Sequence, residues 1–165
     1  ETETIESMNN LIEWLPNNLP TEKKTSIVHG DYSLTNVMVG KDDPNVIAIL
    51  DWELSTLGDP CADFNYHCLQ YTMNPKLADK DYCISKGIPI IEDYVQMYSE
   101  KIEIDLTEEW DLYSAYNLFK LAGILQGILG RVRDGTAANQ NAAERASGVK
   151  NLSDTAWDLV QKNFL

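Results

Sequence analysis

The chain has 165 residues, 44% of them hydrophobic, which is enough for a domain with a real core and argues against a disordered segment. Acidic residues outnumber basic ones 26 to 13, a formal net charge of −13, so the basic footprint that a nucleic-acid partner requires is missing. The longest apolar runs, such as residues 46–50 (VIAIL), fall far short of the about 20 residues of a membrane span, and no basic-then-apolar leader opens the sequence. A soluble, intracellular protein is expected, cytoplasmic in a bacterium and mitochondrial or peroxisomal in a eukaryote. The absence of an initiator Met suggests a piece of something longer. Cys61, Cys68 and Cys83 are odd in number and form no C-x-x-C pair, so buried free thiols are expected rather than a disulfide framework or a zinc site.

Along the chain, Ile5, Met8, Leu11, Ile12 and Leu15 recur at helical spacing until Pro16 and Pro20 stop the pattern. Residues 26–29 (SIVH), 37–39 (VMV) and 46–50 read as short strands, the last two joined by the turn residues 40–45 (GKDDPN). From Pro60 onward helices dominate. Pro60 opens one that runs towards Tyr71. Pro89 stands in the first turn of the next, with Ile91, Tyr94, Tyr98 and Ile102 on one face. Residues 107–134 are the clearest helix. Thr107 is the expected N-cap, Leu112, Ala115, Phe119, Ala122, Leu125, Leu129 and Val132 form the buried stripe, and Gly135 is the stop. A polar loop over 135–147 precedes a last helix carrying Val149, Leu152, Ala156, Leu159 and Val160. The fold class is α+β and mostly helical, with a small β segment carrying a polar loop.

That loop holds the chemistry. An apolar strand delivers His29-Gly30-Asp31, Asn36 follows five residues after Asp31, and a second apolar strand delivers Asp51-Trp52-Glu53. Two carboxylates and a carboxamide at strand ends are the set that phosphoryl transfer needs, because that reaction is mostly positioning and charge neutralisation. Asp31 is assigned to accept the hydrogen of the acceptor hydroxyl. Mg²⁺ prefers hard oxygens and keeps several waters, so one or two protein ligands suffice, and Asn36 and Asp51 suit that role. The spacing H-x-D-x-x-x-x-N is that of a kinase catalytic loop. His29 alone reads as a supporting residue. The glycines Gly123, Gly127 and Gly130 lie within a strong helix and read as close packing, not as a phosphate loop.

The text HGDYSLTNVMV…ILDWELSTLGDPCADF resembles the aminoglycoside phosphotransferase and choline kinase superfamily, and more narrowly the kinase-like domains related to those fused to acyl-CoA dehydrogenases. Residues 119–132 (FKLAGILQGILGRV) add to the narrower resemblance, which covers most of residues 1–165. It implies a kinase-like fold with ATP in a cleft, Asp31 as catalytic base and Asn36 and Asp51 as Mg²⁺ and nucleotide ligands. Glu53 is implied to reach a second metal through water. Asp63 is implied to brace the catalytic loop from a helix, with Asp59 structural beside it and His67 a core or surface residue. Trp52-Glu53 after Asp51 favours a small-molecule acceptor over a protein.

A Gly-rich phosphate loop and a strand lysine would precede the catalytic loop in such a protein, yet residues 1–28 read as one helix and a linker, and no G-x-x-x-x-G-K-[ST] occurs. The whole of 1–165 is therefore expected to be the C-terminal lobe, with the N-terminal nucleotide-binding lobe absent and little activity in isolation. Tyr71, Tyr94, Tyr98, Tyr113, Tyr116, Arg131 and Arg133 are candidates for an acceptor pocket; the arginines would suit the phosphates of a hydroxylated acyl-CoA, whereas the acidic balance permits an aminoglycoside. A fused acyl-CoA dehydrogenase domain is a possible neighbour. The competing readings are a pseudokinase or interaction module and a metal-dependent hydrolase built on Asp31, Asp51 and His29.

Overall fold

The computed structural model describes residues 4–21, 23–136 and 147–165. The chain divides into two compact units, one formed by residues 1–20 with 109–165 and the other by residues 21–108.

The first unit is helical. Helix α1 spans Glu6–Trp14 and ends in a 3-10 turn, Leu15–Asn17, that carries Pro16 at its start. Two long helices, Trp110–Arg133 and Val149–Phe164, complete it; they are α6 and α7 in chain order. Their apolar stripes meet in one core in which Leu11, Ala115, Leu118, Ala122, Ala156 and Val160 are fully buried. The apolar stripes drive this packing, since most helical stability in a protein comes from burial of an amphipathic face. Two polar contacts set the register of α1 on α7: the Ser7 hydroxyl donates to Asp154 Oδ1 at 2.7 Å, and the Ser153 hydroxyl lies 3.5 Å from Met8 Sδ. Thr107 does not cap α6. Its amide and hydroxyl both go to Asp105 (2.8 and 2.6 Å) in a local turn, and the helix starts three residues later behind Glu109. At the other end Gly135, with φ +69°, donates to Val132 O (3.1 Å) and Thr136 donates to Arg131 O (2.9 Å). That is a Schellman stop, which needs a residue tolerant of the left-handed region. The loop expected over 135–147 falls largely outside the described residues.

The second unit carries the strands. Strand β1 (Ser26–Val28) pairs antiparallel with β4 (Thr56–Gly58), and β2 (Val37–Val39) pairs antiparallel with β3 (Val46–Ile49). They form two separate two-stranded ladders. Strand β4 has no counterpart among the sequence-derived strands. The unit continues with α2 (Pro60–Met73), the single turn α3 (Pro75–Ala78), α4 (Lys80–Ser85) and α5 (Ile91–Ile102). Helix α2 is capped by Asp59, which accepts from the Cys61 amide at 2.8 Å, with Pro60 in the first helical position. Pro89 stands just ahead of α5 rather than inside its first turn. The core of this unit is Val28, Cys61, Phe64, Cys68, Leu69, Cys83 and Val95, and the Phe64 ring stacks on Tyr98 at 3.8 Å. All three cysteines are free and buried, as expected, and burial pushes the Cys68 thiol up. The strands contribute little to that core. Ile27, Met38, Val39, Val46, Ile47 and Leu57 are exposed, Leu57 to 71%.

Candidate active site

Antiparallel pairing of β1 with β4 ends at Val28 and Thr56, so the chain enters the His29-Gly30-Asp31 turn from a fixed position. Gly30 adopts φ +83°, and a Cβ there would stand 2.5 Å from the Leu54 carbonyl oxygen, so only glycine fits. The turn is gripped from α2. Asp63 accepts from the His29 amide through Oδ2 (2.7 Å) and from the Gly30 amide through Oδ1 (2.9 Å). Both carboxylate oxygens are thereby spent on the backbone of the two residues that precede Asp31. The His29 ring is buried, with Nε2 2.8 Å from the Leu50 carbonyl and Nδ1 accepting from the Asp31 amide at 3.3 Å. It ties the start of this turn to the residue just ahead of Asp51.

Asn36 closes a 3-10 turn, Leu34–Asn36, immediately before β2. Its Nδ2 donates to the Asp31 carbonyl (3.0 Å) and reaches Asp31 Oδ2 (3.4 Å), while its own carbonyl accepts from the Leu50 amide at 2.8 Å. Both Asp31 partners are acceptors, which fixes the amide orientation and turns Oδ1 of Asn36 away from Asp31. Asp51 follows β3 and takes the left-handed conformation, φ 64° and ψ 56°, at the head of the 3-10 turn Trp52–Leu54. A carboxylate residue tolerates that region better than most, but an outlier of this kind usually marks a functional position. The Asp51 side chain is exposed, and among the described residues no hydrogen bond ties its carboxylate down. A free carboxamide oxygen and a free carboxylate flanking the same β2–β3 ladder fit a magnesium ion that takes few protein ligands.

The structure therefore brings Asp31, Asn36, His29 and Asp63 into one hydrogen-bonded group and sets Asp51 one residue beyond the Leu50 link. Glu53 lies exposed in the turn after Asp51. Tyr71 uses its hydroxyl on the Pro89 carbonyl (2.9 Å) and sits 6.4 Å, ring to ring, from Tyr94. Burial raises Tyr94 and Tyr98 to about 12. Arg131 and Arg133 belong to the helical unit, in the last turn of α6, where Arg133 Nε donates to Asp134 at 2.9 Å. Among the described residues no three His, Cys, Asp or Glu side chains are grouped to hold a metal.

The surroundings of three aromatic residues near this site escaped the reading from sequence, which used Trp52 only as a mark of the acceptor class. The Trp52 ring packs 4.8 Å from His29, and its Nε1 donates to Ile49 O at 2.9 Å. Tyr32 lies between His29 and His67, 6.0 and 5.1 Å away. Tyr66 stands on α2; burial first, and then the Asp31 charge, push its phenol above the ordinary value. The signal for Tyr66 was available, since it follows Asp63 by three residues and so shares its helix face.

The residue pattern of a known phosphotransferase enzyme family, APH, matches residues 1–116. The chain belongs to the APH phosphotransferase family. A solved APH-type relative, a putative aminoglycoside phosphotransferase from Ralstonia eutropha JMP134, superposes with a TM-score of 0.92 at 39% identity, covering 100% of this chain and 52% of that one. Acyl-CoA dehydrogenase family member 10 of Mus musculus is 38% identical over 98% of the chain, and family member 11 of Homo sapiens 33% identical over 97%. This APH domain spans only 16% and 21% of those two proteins. Membership agrees with the mostly helical fold with small antiparallel ladders, and no described helix is long and apolar enough to cross a membrane.

Proposed function

We propose that this domain transfers the γ-phosphate of ATP to a hydroxyl of a small molecule, with Asp31 as the base. The observation that carries the reading is the fixed relation of Asp31 to Asn36: the two share a hydrogen bond, and the turn that holds Asp31 is clamped by both oxygens of Asp63. In this reading Asp31 accepts the hydrogen of the acceptor hydroxyl and aims its oxygen at the phosphorus. Asn36 Oδ1 and Asp51 would hold Mg²⁺, which when bound neutralises charge on the phosphates. Glu53 would reach a second ion through water, and His29 holds the loop without entering the chemistry.

We also read the chain as the C-terminal lobe. Support comes from the exposed apolar faces of β1–β4, from the lack of a phosphate-binding loop ahead of His29, and from a solved relative about twice as long. A nucleotide-binding lobe seated against those strands would bury them. The relatives' names bring a further proposal, that the domain is joined to an acyl-CoA dehydrogenase and that its acceptor is a hydroxyacyl-CoA, whose phosphates would suit arginines such as Arg131 and Arg133.

The test is transfer from Mg-ATP by the full-length protein to a hydroxyacyl-CoA, kanamycin and choline. Asp31→Asn is expected to slow turnover about 10²–10⁴-fold, the range for loss of a general base. Wild-type turnover in Asp31→Asn would remove Asp31 from that role, and failure of the full-length protein to bind Mg-ATP would sink the kinase reading.

A further inference from the structure

Helix α2 meets the His29-Gly30-Asp31 turn twice. Asp63 accepts from the His29 and Gly30 amides, the two that precede that of Asp31, at 2.7 and 2.9 Å. His67 stands four residues further along the same helix face. Its buried ring lies 5.1 Å from that of Tyr32, the residue that follows Asp31. Asp31 is thus straddled: a carboxylate grips the chain before it, and an imidazole backs the ring after it. His67 does not set its own angle, because rotation of an aromatic ring about its last torsion is broad. Here Nε2 shares a hydrogen bond with the Tyr94 hydroxyl (3.3 Å), and the Tyr94 ring meets His67 edge-on at 5.9 Å. Tyr94 in turn packs edge-on against Phe64 at 5.1 Å. Helix α5 therefore fixes the His67 ring that α2 presents to Tyr32.

Stability does not account for a histidine at this position. Among the described residues its Nδ1 is buried without a hydrogen-bond partner, a cost that an apolar ring would avoid. Burial, against weaker pulls from the Tyr32 backbone and the Asp63 charge, holds the imidazole below its ordinary value. The ring is therefore uncharged at neutral pH and acts through packing and its bond to Tyr94. We propose that His67, held by Tyr94, is a positioning residue for phosphoryl transfer: it fixes Tyr32 and with it the direction in which Asp31 leaves the turn. The proposal rests on the reading of Asp31 as the base.

Three variants of the full-length protein test this: His67→Phe, Tyr94→Phe and the pair. Each single change removes the shared hydrogen bond and keeps a ring; the pair leaves neither partner behind. The first readout does not depend on turnover. Amide exchange over residues 29–36 is expected to quicken in all three variants, with α6 and α7 unchanged. Wild-type exchange there in both single variants overturns the proposal, whether or not an acceptor is turned over. The second readout is kinetic, with Mg-ATP and a hydroxyacyl-CoA. Each single variant is expected to lower kcat about 10-fold with KM for Mg-ATP unchanged, and the pair no further, because one bond is lost in every case. The melting midpoint of the pair should match that of the wild type, since no polar partner is left unpaired. Wild-type kcat alongside quickened exchange overturns the positioning role and leaves only the contact. Losses that multiply in the pair, or a midpoint that falls in step with kcat, overturn it by showing two separate packing defects. Full activity in Asp31→Asn brings down the base, and with it the catalytic use of His67, while the exchange result still reports the contact.

Discussion

In the unit of α1, α6 and α7, the deeply buried side chains include Leu11, Leu118, Val149, Ala156 and Val160, and order comes mainly from apolar packing. In residues 21–108 the segment nearest the chemistry, residues 29–36, is held by hydrogen bonds from Asp63, His29 and Asn36, while the strands leading into it expose much of their apolar surface. The difference has a physical reason. Packing is tolerant of small shifts and cannot aim a carboxylate, whereas a two-point bond to backbone amides fixes a turn in both distance and direction. The same bonds are fragile in another way, since each depends on a single residue.

Substitutions sharpen that contrast. Leu118→Ala should give the largest loss of stability, about 2–5 kcal/mol, because Leu118 is wholly buried in α6. Hydrogen exchange should show the loss in α6 and α7, with turnover of the full-length folded protein nearly unchanged; an equal loss of protection in residues 29–36 would break the comparison. Asp63→Ala should cost less stability, about 2–3 kcal/mol for two loop amides left without an acceptor. Its effect on turnover should be the larger one, about 10²-fold, through misplacement of Asp31. Gly135→Ala places a side chain at φ +69° and should lower the melting midpoint by the equivalent of about 1 kcal/mol without touching activity. The smallest effect is electrostatic. Asp154 is held below the ordinary carboxylate range first by its hydrogen bond from Lys150 and then by that from Ser7. A lowered folded-state value means its contribution is complete above the unfolded value, about 4, and fades as pH falls through the lowered one. Since the Lys150 side chain is 69% exposed, Lys150→Ala should flatten the acid limb of the stability profile by only a few tenths of a kcal/mol.

Legibility in the sequence followed the same division. The α6 and α7 stripes were readable because Leu112, Ala115 and Ala122, like Val149, Leu152 and Ala156, obey the helical period, and the candidate site stood out because Asp31, Asn36 and Asp51 keep the spacing of a kinase catalytic loop. Strand β4 was not readable: three residues, Thr56-Leu57-Gly58, carry no alternation, and only their partner β1 makes them a strand. Thr107 misled because Ser and Thr compete for local turns as readily as for caps, and Asp105 two residues earlier took both of its donors. Tyr66 feels the charge of Asp31, 35 residues earlier, and its only trace in the sequence is the three-residue step from Asp63.

The two-stranded ladders have a colloidal consequence. Among the described residues each presents outer edges that pair with no further strand, beside exposed Ile, Val and Leu side chains, which is a template for strand addition by another copy. A net charge of −13 opposes that encounter by mutual repulsion. High salt, or acid that protonates the carboxylates, removes the repulsion while leaving the apolar edges bare. Residues 1–165 handled alone should therefore stay dispersed in dilute neutral buffer and self-associate as either condition is approached.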